Sequence, residues 1–69
     1  MSHDKFIHHE VIPAREASEN GQDGWFDVIE DEYGPHVFDR GAGMMRGRYK
    51  TVTEAVQAAE GFAANWSRT

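Results

Sequence analysis

The chain encodes an α+β domain, a three- or four-stranded antiparallel sheet packed on one C-terminal α-helix. Three features say so: short β-branched and aromatic runs in the first half, turn residues between them, and one long apolar repeat at helical period near the end.

Residues 4–12, Asp-Lys-Phe-Ile-His-His-Glu-Val-Ile, read as the first strand, closed by Pro13, which cannot donate to a ladder. Residues 13–24 are polar and punctuated by Asn20-Gly21 and Asp23-Gly24. They are expected to form a mobile loop, with room for one helical turn between Ala14 and Glu19. Trp25 to Glu30 is the second strand, Asp31 to Pro35 the turn, and His36 to Asp39 the third strand, a hairpin with a connection of about four residues. Gly41-Ala42-Gly43 breaks the chain again. Met44 to Lys50 reads as a fourth short strand, in preference to a basic loop, because Arg48-Tyr49-Lys50 runs straight into a helix cap.

The helix is expected from Thr51 to Trp66. Thr51-Val52-Thr53-Glu54 fits a capping box, in which the threonine accepts from an orphan amide and the glutamate reaches back to another. Val52, Ala55, Val56, Ala59, Phe62, Ala63 and Trp66 then form one apolar stripe, with Glu54, Gln57, Glu60 and Asn65 elsewhere. Gly61 costs roughly 1 kcal/mol inside a helix, and a close approach of the sheet is the expected reason for it.

The 69 residues make a single domain, 1–69, with one core. A chain of this size buries only about 60% of its unfolded surface, so its stability is expected to be marginal without a disulfide, a metal or a partner. Cysteine is absent, which removes disulfides and thiolate zinc sites and suits a reducing cytoplasm. No apolar run approaches the roughly 18 residues of a membrane span, and the start of the chain lacks the layout of a secretory signal. A cytoplasmic protein without membrane contact is expected.

Charge is segregated. Residues 1–39 carry −8, residues 40–50 carry +4 from Arg40, Arg46, Arg48 and Lys50, and residues 51–69 carry −1, for a net charge of −5. An acidic body argues against non-specific nucleic-acid binding, which depends on phosphate contacts. A basic strip on one face still leaves a local role.

One helix covers one face of a sheet. Counted by strand alternation, Phe6 and Ile12 oppose Ile7 and Val11, Trp25 and Ile29 oppose Phe26 and Val28, and Val37 opposes Phe38. Both faces therefore carry bulky apolar side chains. Either a loop, the N-terminus or a bulge resolves the second face, or that face is an interface for a second copy or another protein, or it forms an apolar ligand cleft. Phe6, Trp25 and Ile29 are the residues expected at such an interface.

Other constellations carry less. His8, Glu10 and His36 meet only if their strands pair suitably, and no spaced metal-ligand motif is present, so exposed or cross-strand histidines are the plainer reading. Glu30-Asp31-Glu32 sits at a hairpin tip, where carboxylates are solvated and not tuned for proton transfer. No serine has a recognisable base and orienting group, so no catalytic residue, metal or cofactor is expected. In the segment 40–50, Arg40, Arg46, Arg48 and Lys50 offer donors to phosphate and Tyr49 a stacking face. The plainer reading is a solvated turn whose arginines pair with the acidic body. A nucleic-acid or phosphoanion contact is the alternative, and docking of an acidic protein a further one.

From Gly47-Arg-Tyr-Lys-Thr-Val-Thr-Glu-Ala-Val-Gln-Ala-Ala-Glu to Trp66, the chain resembles the ending of many small uncharacterised bacterial proteins, in which a hairpin beginning at a tryptophan precedes a T-x-x-E-A helix. Over residues 24–66 it is also similar to the sheet-to-helix step of HicB-type antitoxins, whose helix opens on a comparable Thr-Glu-Ala cluster. The resemblance implies a bacterial or phage origin and a binding role. It supplies no functional residue, and these residues offer no candidate for the separate DNA-binding segment of a HicB-type protein. The chain is therefore expected to be a non-catalytic interaction domain, with accessory nucleic-acid binding through residues 40–50 as the alternative.

Overall fold

Four strands in chain order make one antiparallel meander, and one helix lies across it. In the computed structural model, which describes residues 5–68, these are β1 (Phe6–Pro13), β2 (Trp25–Asp31), β3 (Gly34–Asp39), β4 (Met44–Arg48) and α1 (Val52–Asn65). The start of the chain inspected for a signal, and Asp4 of the first expected strand, lie outside the described residues. The α+β architecture is the one expected, with four strands.

The helix rests on β1, β2 and β3. Val28 and Val37 face each other across β2 and β3, and both are fully buried. They form the core with Phe26, Ala14 and the helix residues Ala55, Ala59 and Ala63. Three alanines on the buried stripe let the helix backbone come close to the sheet. Larger side chains close the edges: Ile12, Tyr49, Val52, Val56, Phe62 and Trp66 are partly buried against the core, and the Phe26 and Phe62 rings lie 5.9 Å apart.

The helix start is capped as its sequence requires, with one variation. Thr51 Oγ1 accepts from the Glu54 amide at 3.1 Å, and Glu54 Oε1 accepts from the amide of Lys50 at 3.1 Å, one residue before the cap. Trp66 closes the helix, its amide donating to the Ala63 carbonyl.

The hairpin is tighter than expected. Asp31 pairs directly with Gly34, leaving only Glu32 and Tyr33 as the turn, so β3 begins at Gly34 and not at His36. Asp31 Oδ1 accepts from the Tyr33 amide at 2.9 Å, and Gly34 takes the positive φ of 110° that the return requires. Pro35 sits inside β3, its carbonyl accepting from the Tyr49 amide where the β3–β4 ladder ends.

The simple parity of β1 does not hold. A bulge between His8 and Glu10 changes its alternation: Phe6 pairs with Asp31 and His8 with Ile29, whereas Glu10 pairs with Val28 and Ile12 with Phe26. Phe6 and Ile12 therefore point to opposite faces, as do His8 and Glu10. A second bulge in β4 leaves Arg46 as the extra residue between Gly47, opposite Val37, and Met45, opposite Phe38.

Residues 14–24 are fastened at several points. The Ala14 amide donates to the Gly24 carbonyl, the Ser18 amide to the Asp23 carbonyl, and Trp25 Nε1 to the Ser18 carbonyl. Arg68 at the other end of the chain donates to the Glu16 carbonyl.

Gly61 does not serve close packing. It is exposed, and a Cβ built there meets nothing within 4 Å. Gly61→Ala is therefore expected to stabilise the fold by about 1 kcal/mol, raising the melting temperature by roughly 4–8 °C, and Thr51→Ala to cost about 1 kcal/mol. Thermal and urea denaturation of both variants check the pair.

Candidate functional site on the open sheet face

The face away from the helix carries the odd-numbered residues of β2 and everything registered with them. Three rows cross the strands: Phe6 and Asp31; His8, Ile29, His36 and Arg48; and Val11, Asp27, Phe38 and Met45. Pro13 and Trp25 follow at the end. Among the described residues, no helix or strand lies over these rows.

Phe6, Trp25 and Ile29 thus share one face, with different exposure. Phe6 is 69% exposed, Ile29 only 8%, and Trp25 is half-buried. Ile29 is a floor between neighbouring side chains and not a point of contact. Phe38 and Val11 are half-buried and Met45 is 43% exposed. Phe6, Val11, Phe38 and Met45 are the apolar groups a partner would meet.

Two aspartates break this apolar surface, and each is neutralised. Asp27 is 5% exposed and accepts a two-pronged bond from Arg40, Nε to Oδ2 at 2.8 Å and Nη2 to Oδ1 at 2.9 Å. Asp27 Oδ1 also lies 2.8 Å from His8 Nε2. The Arg40 guanidinium lies 5.4 Å from the Trp25 ring centre and donates to the Gly21 carbonyl, tying the loop to this face. Asp31 receives a second fork from Arg48, at 2.7 and 2.9 Å, and Arg48 lies 5.4 Å from the Tyr33 ring centre. His36 is buried beside this pair, its Nδ1 without a hydrogen-bond partner and 3.7 Å from Asp31 Oδ2.

Burial pushes the Asp27 carboxyl up, but the hydrogen bonds from Arg40 and His8 and the charges behind them outweigh it and hold it below the ordinary range. The Arg48 fork, helped by the Tyr33 amide, holds Asp31 well below that range. These are permanent ion pairs at neutral pH.

The basic segment is engaged in the same way. Arg46 binds Asp39 on the helix side, Nε to Oδ2 at 3.0 Å, so each of the three arginines faces an aspartate of β2 or β3. A phosphate would compete with a carboxylate for the charge at every one. Tyr49 packs against the core, and Lys50 is exposed. The five residues therefore do not form one strip: Arg40 and Arg48 lie over the open face, whereas Arg46 and Tyr49 belong to the helix side.

The metal set His8, Glu10 and His36 is separated by the β1 bulge, and among the described residues no group of three or more His, Asp or Glu is placed to hold a metal ion. An open cleft of about 340 Å3 lies on the helix side, floored by Phe26, Phe62 and Trp66. Asp39 on its wall is already bonded to Arg46 and the Ala42 amide.

The plainer sequence reading, arginines of 40–50 paired with the acidic body, holds for Arg40, Arg46 and Arg48; which acids they meet is what it left open. An acid inside Trp-Phe-Asp-Val-Ile must meet a cation if that run is a buried strand, and this signal points to Asp27. No described helix is long and apolar enough to cross a membrane. No family model, curated protein or solved structure matches the chain.

Because the Asp27 and Asp31 carboxyls are depressed in the folded state, the stability they contribute is fully present above the ordinary aspartate pKa of about 3.9 and is lost as pH falls below it. Arg40→Ala leaves Asp27 buried with only His8 beside it. It is expected to cost about 2 kcal/mol at neutral pH and to flatten the acid loss. Urea denaturation at several pH values measures both effects.

Proposed function

We propose that this chain is a non-catalytic binding domain that docks a protein surface through its open sheet face. One observation carries the reading: the single helix occupies one face, while the other presents Phe6, Val11, Phe38 and Met45 around two neutralised Asp–Arg pairs. Exposed apolar groups set on a rigid sheet and rimmed by paired charges are the composition of a recognition surface. Phe6 supplies contact, Ile29 is the floor, and Trp25 holds the loop and Arg40 in place. The resemblance of residues 24–66 to small bacterial proteins and to the HicB-type sheet-to-helix step points to the same kind of role, in a reducing cytoplasm. The exposed apolar groups and the occupied arginine forks favour this over nucleic-acid binding.

A photo-cross-linking residue in place of Phe38 tests the reading in living cells, with one in place of Glu60 on the helix as control. Protein adducts are expected from position 38 and not from position 60. Equal adducts from both positions, or none from position 38, would contradict it.

A further inference from the structure

We infer that the occupant of the open face is a second copy of this chain, an inference that rests on the docking reading above. Charge is the first argument. The chain carries −5, so two copies repel over most of their surface. Glu54 and Glu60 lie on the helix, Glu16, Glu19 and Asp23 in the loop, Glu32 at the hairpin tip, and Glu10 in the register that faces the helix, where Glu30 and Asp39 are paired with Lys5 and Arg46. On the open face both acids are matched, Asp27 by Arg40 and Asp31 by Arg48. It is the side on which a second acidic copy meets no net repulsion, and a strongly basic or acidic partner finds no net charge there to select it.

Symmetry is the second argument. Asp27 and Asp31 stand two residues to either side of Ile29 on β2, roughly 7 Å each along the strand. A twofold axis running across the strands at Ile29 sets Asp27–Arg40 of one copy against Asp31–Arg48 of the other. The same operation brings Phe6, in the Asp31 row, over Val11, in the Asp27 row, and brings Phe38 toward Gly34, over which the Arg48 guanidinium passes on its way to Asp31. The face is thus complementary to itself, as a twofold interface must be.

The area sets the strength. A four-stranded face of this length has a footprint of roughly 400 Å2 per copy, or about 800 Å2 in all, below the size of a permanent interface. The dimer is therefore expected to be weak and reversible.

Sedimentation velocity on the untagged protein, from about 10 μM to about 1 mM, reads this directly. The average mass is expected to climb from the 7.8 kDa monomer toward twice that value. Phe38→Lys is expected to remain monomeric throughout with an unchanged circular dichroism spectrum, and Glu60→Lys to dimerise as the parent does. Nuclear Overhauser effects between labelled and unlabelled copies add a measurement that needs no variant, and contacts from Phe6 to Val11 of the other copy are expected. A monomer at the highest concentration overturns the second copy. So does association that survives Phe38→Lys with no such contacts, because it would use another surface. If the chain stays monomeric while the Phe38 cross-linker captures a different protein, only the second copy falls. If that cross-linker also captures nothing, the docking reading falls with it.

Discussion

A single fourteen-residue helix has to supply the entire second layer of this domain, and a helix can lie on only one side of a sheet. The core follows from that limit. Val28 and Val37 meet under the helix, and Ala55, Ala59 and Ala63 keep its axis close enough to exclude water from them. Everything registered with Ile29 is left on the other side. The open face is thus what one helix leaves uncovered among the described residues, and the uses it can be put to follow from what lines it.

Ion pairing is how the chain keeps an acid-containing strand folded on an uncovered face. Asp27 is nearly as buried as the core, and an unpaired carboxylate there would carry a large desolvation cost. Arg40 and His8 offset it, and Arg40 extends the effect by lying against Trp25 and holding Gly21. Arg48 does the same for Asp31 at the hairpin, and Arg46 for Asp39 on the helix side. The acidic first half and the basic segment 40–50 are two halves of one internal pairing scheme. Charge that looks in the sequence like a binding strip is largely paired within the fold, and the charges on the open face are matched.

Much of this was legible in the residues. The helix stripe, its threonine cap and the strand runs depend on neighbours a few positions apart, and they appear where expected. The bulge in β1 was not legible, since His8-His9-Glu10 carries no glycine or proline to mark it. It nonetheless changes which face each later residue of the strand occupies. The Asp–Arg partners were hidden for a different reason. Asp27 and Arg40 are 13 positions apart, and only the strand register brings them together. Gly61 was misread because helical position alone does not say whether a glycine faces the sheet or solvent. Phe6, Trp25 and Ile29 do share a face, yet sequence could not rank their exposure, which depends on the side chains lying over each.

The central claim is that, in the isolated monomer, the helix covers one face and none of the described residues forms a layer over the other. Methyl-resolved relaxation by a soluble paramagnetic chelate, on dilute protein, tests this most directly. The methyl groups of Val11 and Met45 are predicted to relax strongly, and those of Val28, Val37, Ala55 and Ala59 to be shielded. Shielding of Val11 and Met45 in the monomer, equal to that of the core valines, would mean that the chain closes over its own second face, and would contradict the account.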